Sequence, residues 1–136
     1  MIGERRPAGI LDTSVVIDLR EIPIEVLPID MAISTVTLAE LSAGPLAAAD
    51  PLERAHRQET LQIAEATFDA LPFDAASARA FALIDAAVRG SGRKARGGRA
   101  LDLLIAATAR ANRQPLYTRN AKDFRGLDGL VEVIEI

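Results

Sequence analysis

"GILDTSVVIDL", residues 9–19, is the stretch whose reading decides the fold. Gly9, Ile10 and Leu11 read as the end of a buried strand, and Val15, Val16, Ile17 and Leu19 as the start of a buried helix. Asp12 stands at the seam, followed by Thr13 and Ser14. A carboxylate at this seam has two readings. It is a helix N-cap that accepts backbone N–H bonds, or it is a ligand-facing acid, because open α/β sheets bind ligands beyond the carboxyl ends of their strands.

The same alternation of strand and helix continues outward from this seam. A strand is expected over 10–11, a helix over 14–20, a strand over 31–34 and a helix over 37–49, where Gly44–Pro45 marks a kink or break. Asp50 and Pro51 read as the N-cap and first residue of the next helix. A minimal strand is expected over 70–73 and a helix over 74–90, ended by Gly90. Residues 91–99, "SGRKARGGR", read as a basic flexible loop. An apolar helix follows over 100–113, then strands over 115–118 and 130–136. The pattern predicts a single α/β domain over 1–136, a sandwich with a mainly parallel central sheet flanked by helices. Residues 1–8 read as a loose leader.

Composition removes several classes of chemistry. The 136 residues are 49% hydrophobic, enough to bury a core without staples, and there is no cysteine. Disulfides, zinc–thiolate sites and thiol catalysis are therefore excluded. The only histidine, His56, lies in the polar run "ERAHRQE", which argues against a Ser–His or His–metal site. No apolar run is long enough to span a bilayer and the first nine residues do not resemble a signal peptide, so a cytoplasmic protein without a membrane partner is expected. Net charge is −3, yet residues 89–125 carry ten basic residues and two acids, Asp102 and Asp123. That basic stretch reads either as solvated surface or as a phosphate-attracting flank on an otherwise acidic protein. Four Phe and one Tyr offer no evident base-stacking platform.

Four acids or groups of acids sit at helix starts or strand ends. Asp12 is the first. Glu40 ends Thr37-x-x-Glu40, which matches a capping box, but it also lies at the first turn of the helix after the second strand. Asp102 interrupts a helix that is otherwise apolar from Leu101 to Ala109 apart from Thr108. Such a helix is buried, and a lone buried carboxylate is costly unless paired or metal-bound, although a position near the helix start softens the cost. Asn120 and Asp123 follow the strand "PLYT" and read as an N-cap with its acid or as site residues. A parallel sheet gathers all these positions along one edge. Two carboxylates ~4 Å apart repel by roughly 4 kcal/mol at an effective dielectric of 20, and a divalent cation removes that penalty. An oxygen-only donor set points to Mg²⁺ or Mn²⁺, and such a cation beside a basic flank suits phosphodiester hydrolysis.

The segments "ILDTSVVIDL", "STVTLAEL", "LDLLIAATA" and "YTRNAKDF", in this order and followed by a terminal strand, resemble the PIN-domain ribonucleases, and in particular the VapC toxins of VapBC toxin–antitoxin modules. The resemblance implies a parallel sheet flanked by helices, Mg²⁺-dependent endoribonuclease activity and inhibition by a cognate VapB-type antitoxin. It implies Asp12, Glu40 and Asp102 as the acids of the site, with Asp12 and Asp102 holding the metal. Ser14 would bind phosphate or water, and Asn120 or Asp123 would complete the set. Hydrolysis would proceed by in-line attack of water, leaving a 5′-phosphate and a 3′-hydroxyl, with no need for the RNA 2′-hydroxyl. The antitoxin would lie along residues 37–68, where Leu38, Leu41, Leu46, Leu52, Leu61 and Ile63 either line a groove or face the core. Arg93, Lys94, Arg96 and Arg99 are the expected RNA-binding cations, and a homodimer is the expected assembly. Two alternatives remain open here: a PIN nuclease of RNA maturation or decay that is not a toxin, and a phosphoreceiver signalling domain. The latter calls for adjacent acids after the first strand, where Asp12 has Leu11 and Thr13 as neighbours.

Overall fold

The computed structural model describes residues 4–92 and 98–136. Five parallel strands form one sheet: β1 (Ala8–Leu11), β2 (Asp30–Ser34), β3 (Asp69–Leu71), β4 (Leu116–Thr118) and β5 (Val133–Glu135). Their order is β3-β2-β1-β4-β5. The helices are α1 (Thr13–Ile17), α2 (Thr35–Ala47), α3 (Pro51–Thr67), α4 (Ala75–Gly90) and α5 (Gly98–Ala111). The chain steps outward from β1 to β3 and then returns to the other side of β1 with β4. The order therefore reverses between β1 and β4, and the crevice beyond their carboxyl ends is the topological switch point. The order also differs from the 2-1-3-4-5 sheet of phosphoreceiver-type proteins.

β1 is central and its side chains divide between two cores, as the period of two requires. Ile10 packs with Ile84, Leu103, Ile105 and Leu116 under α4 and α5. Leu11 packs with Val15, Ile33, Leu41, Leu61 and Tyr117 under α1, α2 and α3. Gly9 leaves room for this packing, because a Cβ there would stand 2.5 Å from Cε1 of Tyr117. A buried hydroxyl pair ties the start of α2 to α5. Ser34 Oγ lies 3.2 Å from Thr108 Oγ1, which donates to the Leu104 carbonyl at 3.0 Å.

Local chemistry explains where the elements depart from the sequence pattern. The capping box expected of Thr37 and Glu40 does not form. Ser34 caps α2 instead, accepting the Val36 N–H at 3.0 Å, and Thr37 is fully buried inside the helix. Of the kink or break expected at Gly44–Pro45, the break does not occur; α2 runs to Ala47, so the missing Pro45 N–H costs one bond in the last turn. Asp50 does cap α3, with Pro51 as its first residue. Helix α1 is shorter than expected and passes into a 3₁₀ turn at Leu19–Glu21. The 130–136 strand shrinks to Val133–Glu135, because the N–H groups of Leu130 and Val131 turn back to the Leu127 carbonyl. Helix α5 starts at Gly98, two residues early, so Asp102 is outside its first turn.

Helix α5 ends in a Schellman cap. Gln114 N–H donates to the Ala109 carbonyl and Arg113 N–H to the Arg110 carbonyl, with Arg113 at φ 54°. Arg113 holds the position where glycine carries no Cβ penalty, and that penalty is roughly 1 kcal/mol. Arg113→Gly is expected to preserve the melting temperature or raise it by about 2–4 °C, as read by calorimetry; a fall would show that the arginine side chain stabilises the fold.

Candidate active site

The β1–α1 turn holds Asp12 in place. Its carboxylate caps α1, with Oδ1 accepting the Val15 N–H at 3.1 Å and the Ser14 hydroxyl at 2.6 Å. Asp12 Oδ2 takes no hydrogen bond among the described residues. Ser14 Oγ in turn accepts the Arg119 N–H at 3.1 Å, across the crevice from β1 to the turn after β4. With its one hydrogen given to Asp12, the hydroxyl cannot also donate to a phosphate oxygen. Thr118 Oγ1 accepts the Asn120 N–H at 3.0 Å and shapes the same turn.

Glu40 reaches this seam from α2. Its Oε1 accepts the Thr13 hydroxyl at 2.7 Å, and Thr13 Oγ1 lies 3.1 Å from the Thr37 hydroxyl. The acid that the sequence offered as a capping-box partner is thus tied to the residue beside Asp12. Thr13 is a site residue that sequence reasoning missed. Two signals were present: a hydroxyl adjacent to Asp12, and Ser34 as a competing cap that frees Glu40.

Asp102 is half-buried on α5 and feels the other three acids. Burial first, then Asp12, Asp123 and Glu40, push its carboxyl up to about 7, and only Arg99 opposes them. Because Asp102 lies past the first turn, the free N–H groups of the helix start do not hold its charge as the sequence reading supposed. Asp123 follows β4 in the 3₁₀ turn Ala121–Phe124, half-buried, with Arg99 Nη2 4.0 Å from its Oδ1. Asn120 heads that turn, is exposed and makes no side-chain cap. Asp12, Glu40, Asp102 and Asp123 therefore act as one electrostatic group. Arg93, Lys94 and Arg96 lie outside the described residues.

This group suits a hard cation in charge and in donor type: three acids crowd a half-buried fourth, and every candidate ligand is oxygen. Among the described residues no three acid or imidazole side chains form a set that would hold an ion by themselves. A cation here would therefore keep part of its water shell, as Mg²⁺ does at sites with one or two carboxylates.

The PIN domain profile matches residues 10–130. The chain belongs to the PIN-domain family. It is 40% identical over 134 residues to Ribonuclease VapC5 of Mycobacterium tuberculosis (strain ATCC 25618 / H37Rv), a match spanning 95% of this chain and 96% of the relative. It is 41% identical over 103 residues to Ribonuclease VapC8 of the same species (strain CDC 1551 / Oshkosh), spanning 74% of this chain and 89% of that one. The crystal structure of VapBC-5, a member of the VapBC family of toxin–antitoxin systems from Mycobacterium tuberculosis, aligns with a TM-score of 0.83 at 40% identity. That alignment covers 96% of this chain and 99% of the other. The phosphoreceiver alternative falls, on sheet order and on family. PIN ribonucleases generally depend on a divalent metal. No helix among the described residues is long and apolar enough to cross a membrane.

The raised Asp102 carboxyl sets a pH dependence in the metal-free protein. The native state holds this proton up to about pH 7, whereas the unfolded chain releases it near the ordinary aspartate value of 3.8. Between those values the native state binds more protons, so stability falls as pH rises through the window and the loss is complete above it. Asp102→Asn is expected to flatten that slope. At pH 8, in chelator, it should stabilise the protein by on the order of 2 kcal/mol, allowing for solvent screening of a half-buried group, with little effect at pH 4. Thermal melts across pH would overturn this if the two proteins keep parallel profiles.

Proposed function

We propose that the chain is a Mg²⁺-dependent endoribonuclease, the VapC toxin of a VapBC-type module, that hydrolyses RNA phosphodiesters at the crevice between β1 and β4. The observation that carries this reading is that Asp12, Asp123 and Glu40 all bear electrostatically on the half-buried Asp102, with Glu40 tied through Thr13 to the turn that carries Asp12. The toxin reading, over an RNA-processing nuclease, is favoured by near full-length identity to a VapC ribonuclease.

Asp12 and Asp102 would hold the cation. Asp12 offers Oδ2 while Ser14 and the Val15 N–H fix Oδ1. Glu40, held by Thr13, and Asp123, loosely faced by Arg99, orient water around it. A bound Mg²⁺ supplies charge neutralisation and activates water for in-line attack on phosphorus. Ser14 acts as a positioning residue, keeping Asp12 and the Arg119 turn in register. No histidine is needed, and His56 is exposed on α3.

The antitoxin partner fits the α2–α3 hairpin. Of the six apolar residues expected there, Leu41 and Leu61 are buried, whereas Leu46 and Leu52 are 86% and 82% exposed. A groove lined by Ile17, Leu41, Gly44 and Arg57 leads between the two helices to Glu40. A chain lying in it reaches the carboxylates directly.

Two outcomes are expected. Asp12→Asn and Asp102→Asn should each lower RNA cleavage by at least about 100-fold with the circular dichroism spectrum unchanged, and wild-type products mapped by end-labelling should carry 5′-phosphates. Cleavage by either variant near the wild-type rate removes that residue from the site. On addition of the antitoxin, hydrogen exchange should slow across 37–68, and unchanged protection there would move the interface elsewhere.

A further inference from the structure

We propose that the groove between the start of α4 and the end of α5 is a second contact for the RNA backbone, at the opposite end of α5 from the carboxylates. This rests on the reading of the chain as a ribonuclease. Arg79, Leu83, Arg110, Arg113 and Glu132 line the groove.

The charge of the groove is positive and largely unspent. Glu132 is bound by Arg6 through both carboxylate oxygens. Arg110 donates Nη1 to the Leu130 carbonyl at 2.9 Å. Arg79 and Arg113 make no ion pair among the described residues. Arg79 lies past the first turn of α4, where the helix dipole acts weakly, and its charge also acts on the N-cap carboxylate of Asp74. The C-terminal end of α5 already has Arg110 in its last turn. Arg113 occupies a left-handed cap position that glycine fills without strain, and among the described residues it is the one non-glycine with positive φ. Arg113 is thus kept against a local preference, and Arg79 borders the same groove.

The chemistry of the lining suits a nucleotide chain. Guanidinium groups bind phosphate in a planar fork and stack on bases, and Leu83, 51% exposed, adds an apolar surface beside them. Asp102 and Arg110 share α5, and at about 1.5 Å per residue they are separated by about 12 Å along its axis. That distance corresponds to roughly four nucleotides at a duplex rise of ~3.4 Å. A strand cut at the carboxylates therefore meets the groove only if it extends several nucleotides beyond the scissile bond. The groove would then favour long or folded RNA over short fragments.

The test uses the double variant Arg79→Ala/Arg113→Gly, which replaces each residue with one its backbone position favours. Binding of the metal-free protein to a hairpin RNA of about 30 nucleotides is followed by fluorescence anisotropy across salt concentrations. The variant is expected to flatten the log–log salt slope by roughly 1.4 to 1.8, the loss of two phosphate contacts, while affinity for a tetranucleotide is unchanged. Arg79→Lys/Arg113→Lys, which keeps both charges, should restore most of the slope. A wild-type slope in the Ala/Gly variant overturns the proposal. A change in the sedimentation mass of the RNA-free protein also overturns it, in favour of a protein–protein surface. Cleavage of the hairpin by the wild-type protein separates the two readings: cleavage with an unaltered variant slope refutes only the groove, whereas a wild-type protein that neither binds nor cuts RNA refutes the ribonuclease reading beneath it.

Discussion

Ser14 Oγ donates to Asp12 at 2.6 Å and accepts from the Arg119 backbone at 3.1 Å, and the crevice depends on that pair of bonds. β1 and β4 are adjacent strands whose following segments diverge, one into α1 and the other into a 3₁₀ turn. A hydroxyl that binds both sides fixes the opening between them. It also fixes the acid at the end of β1, because the same hydroxyl and the Val15 N–H hold a single oxygen of Asp12 and leave the other unbonded.

Around this point the fold assembles negative charge that it does not neutralise. Glu40 arrives from α2 through Thr13, Asp123 from the turn after β4, and Asp102 from α5, where burial and its neighbours hold a proton on it up to about 7. Arg99 stands at the edge of ion-pair distance from Asp123 and only partly offsets the group. A domain optimised for stability alone would replace such a group with a paired or apolar set. Strain of this kind belongs to sites that bind a charged ligand, and a hard cation is the ligand that these oxygens suit.

The two layers of helices have different work. The α1–α3 layer carries Glu40, closes one core and leaves Leu46 and Leu52 exposed along its outer hairpin. The α4–α5 layer carries Asp102 at one end and a group of arginines at the other. The carboxylates stand between the two layers, so an antitoxin along α2 and α3 and the RNA contact proposed along α5 would approach them from different sides.

What the sequence determined by itself was the alternation of elements and a short set of candidate acids. Asp12 after Ile10–Leu11 reads as a strand-end acid or an N-cap, and it does cap α1, while Asp102 alone in an apolar helix carries its signal locally, because a buried helix rarely holds an unpaired carboxylate. The cap at Asp50 with Pro51 was legible for the same reason. Contacts between distant residues were not. Thr37 and Glu40 satisfy the capping-box spacing, yet Ser34 takes the cap and Glu40 turns to Thr13, a partner 27 positions away. Asn120 and Asp123 were equal candidates in sequence, and only the tertiary structure sets Asp123 against Asp102 and leaves Asn120 exposed. Arg79 lies on α4 and Arg113 in the cap that follows α5, and they share a groove only after α4 packs on α5. Spacing along the chain reports the partners available within one turn of helix; the choice among them depends on the packing of elements whose separation in sequence carries no geometric information.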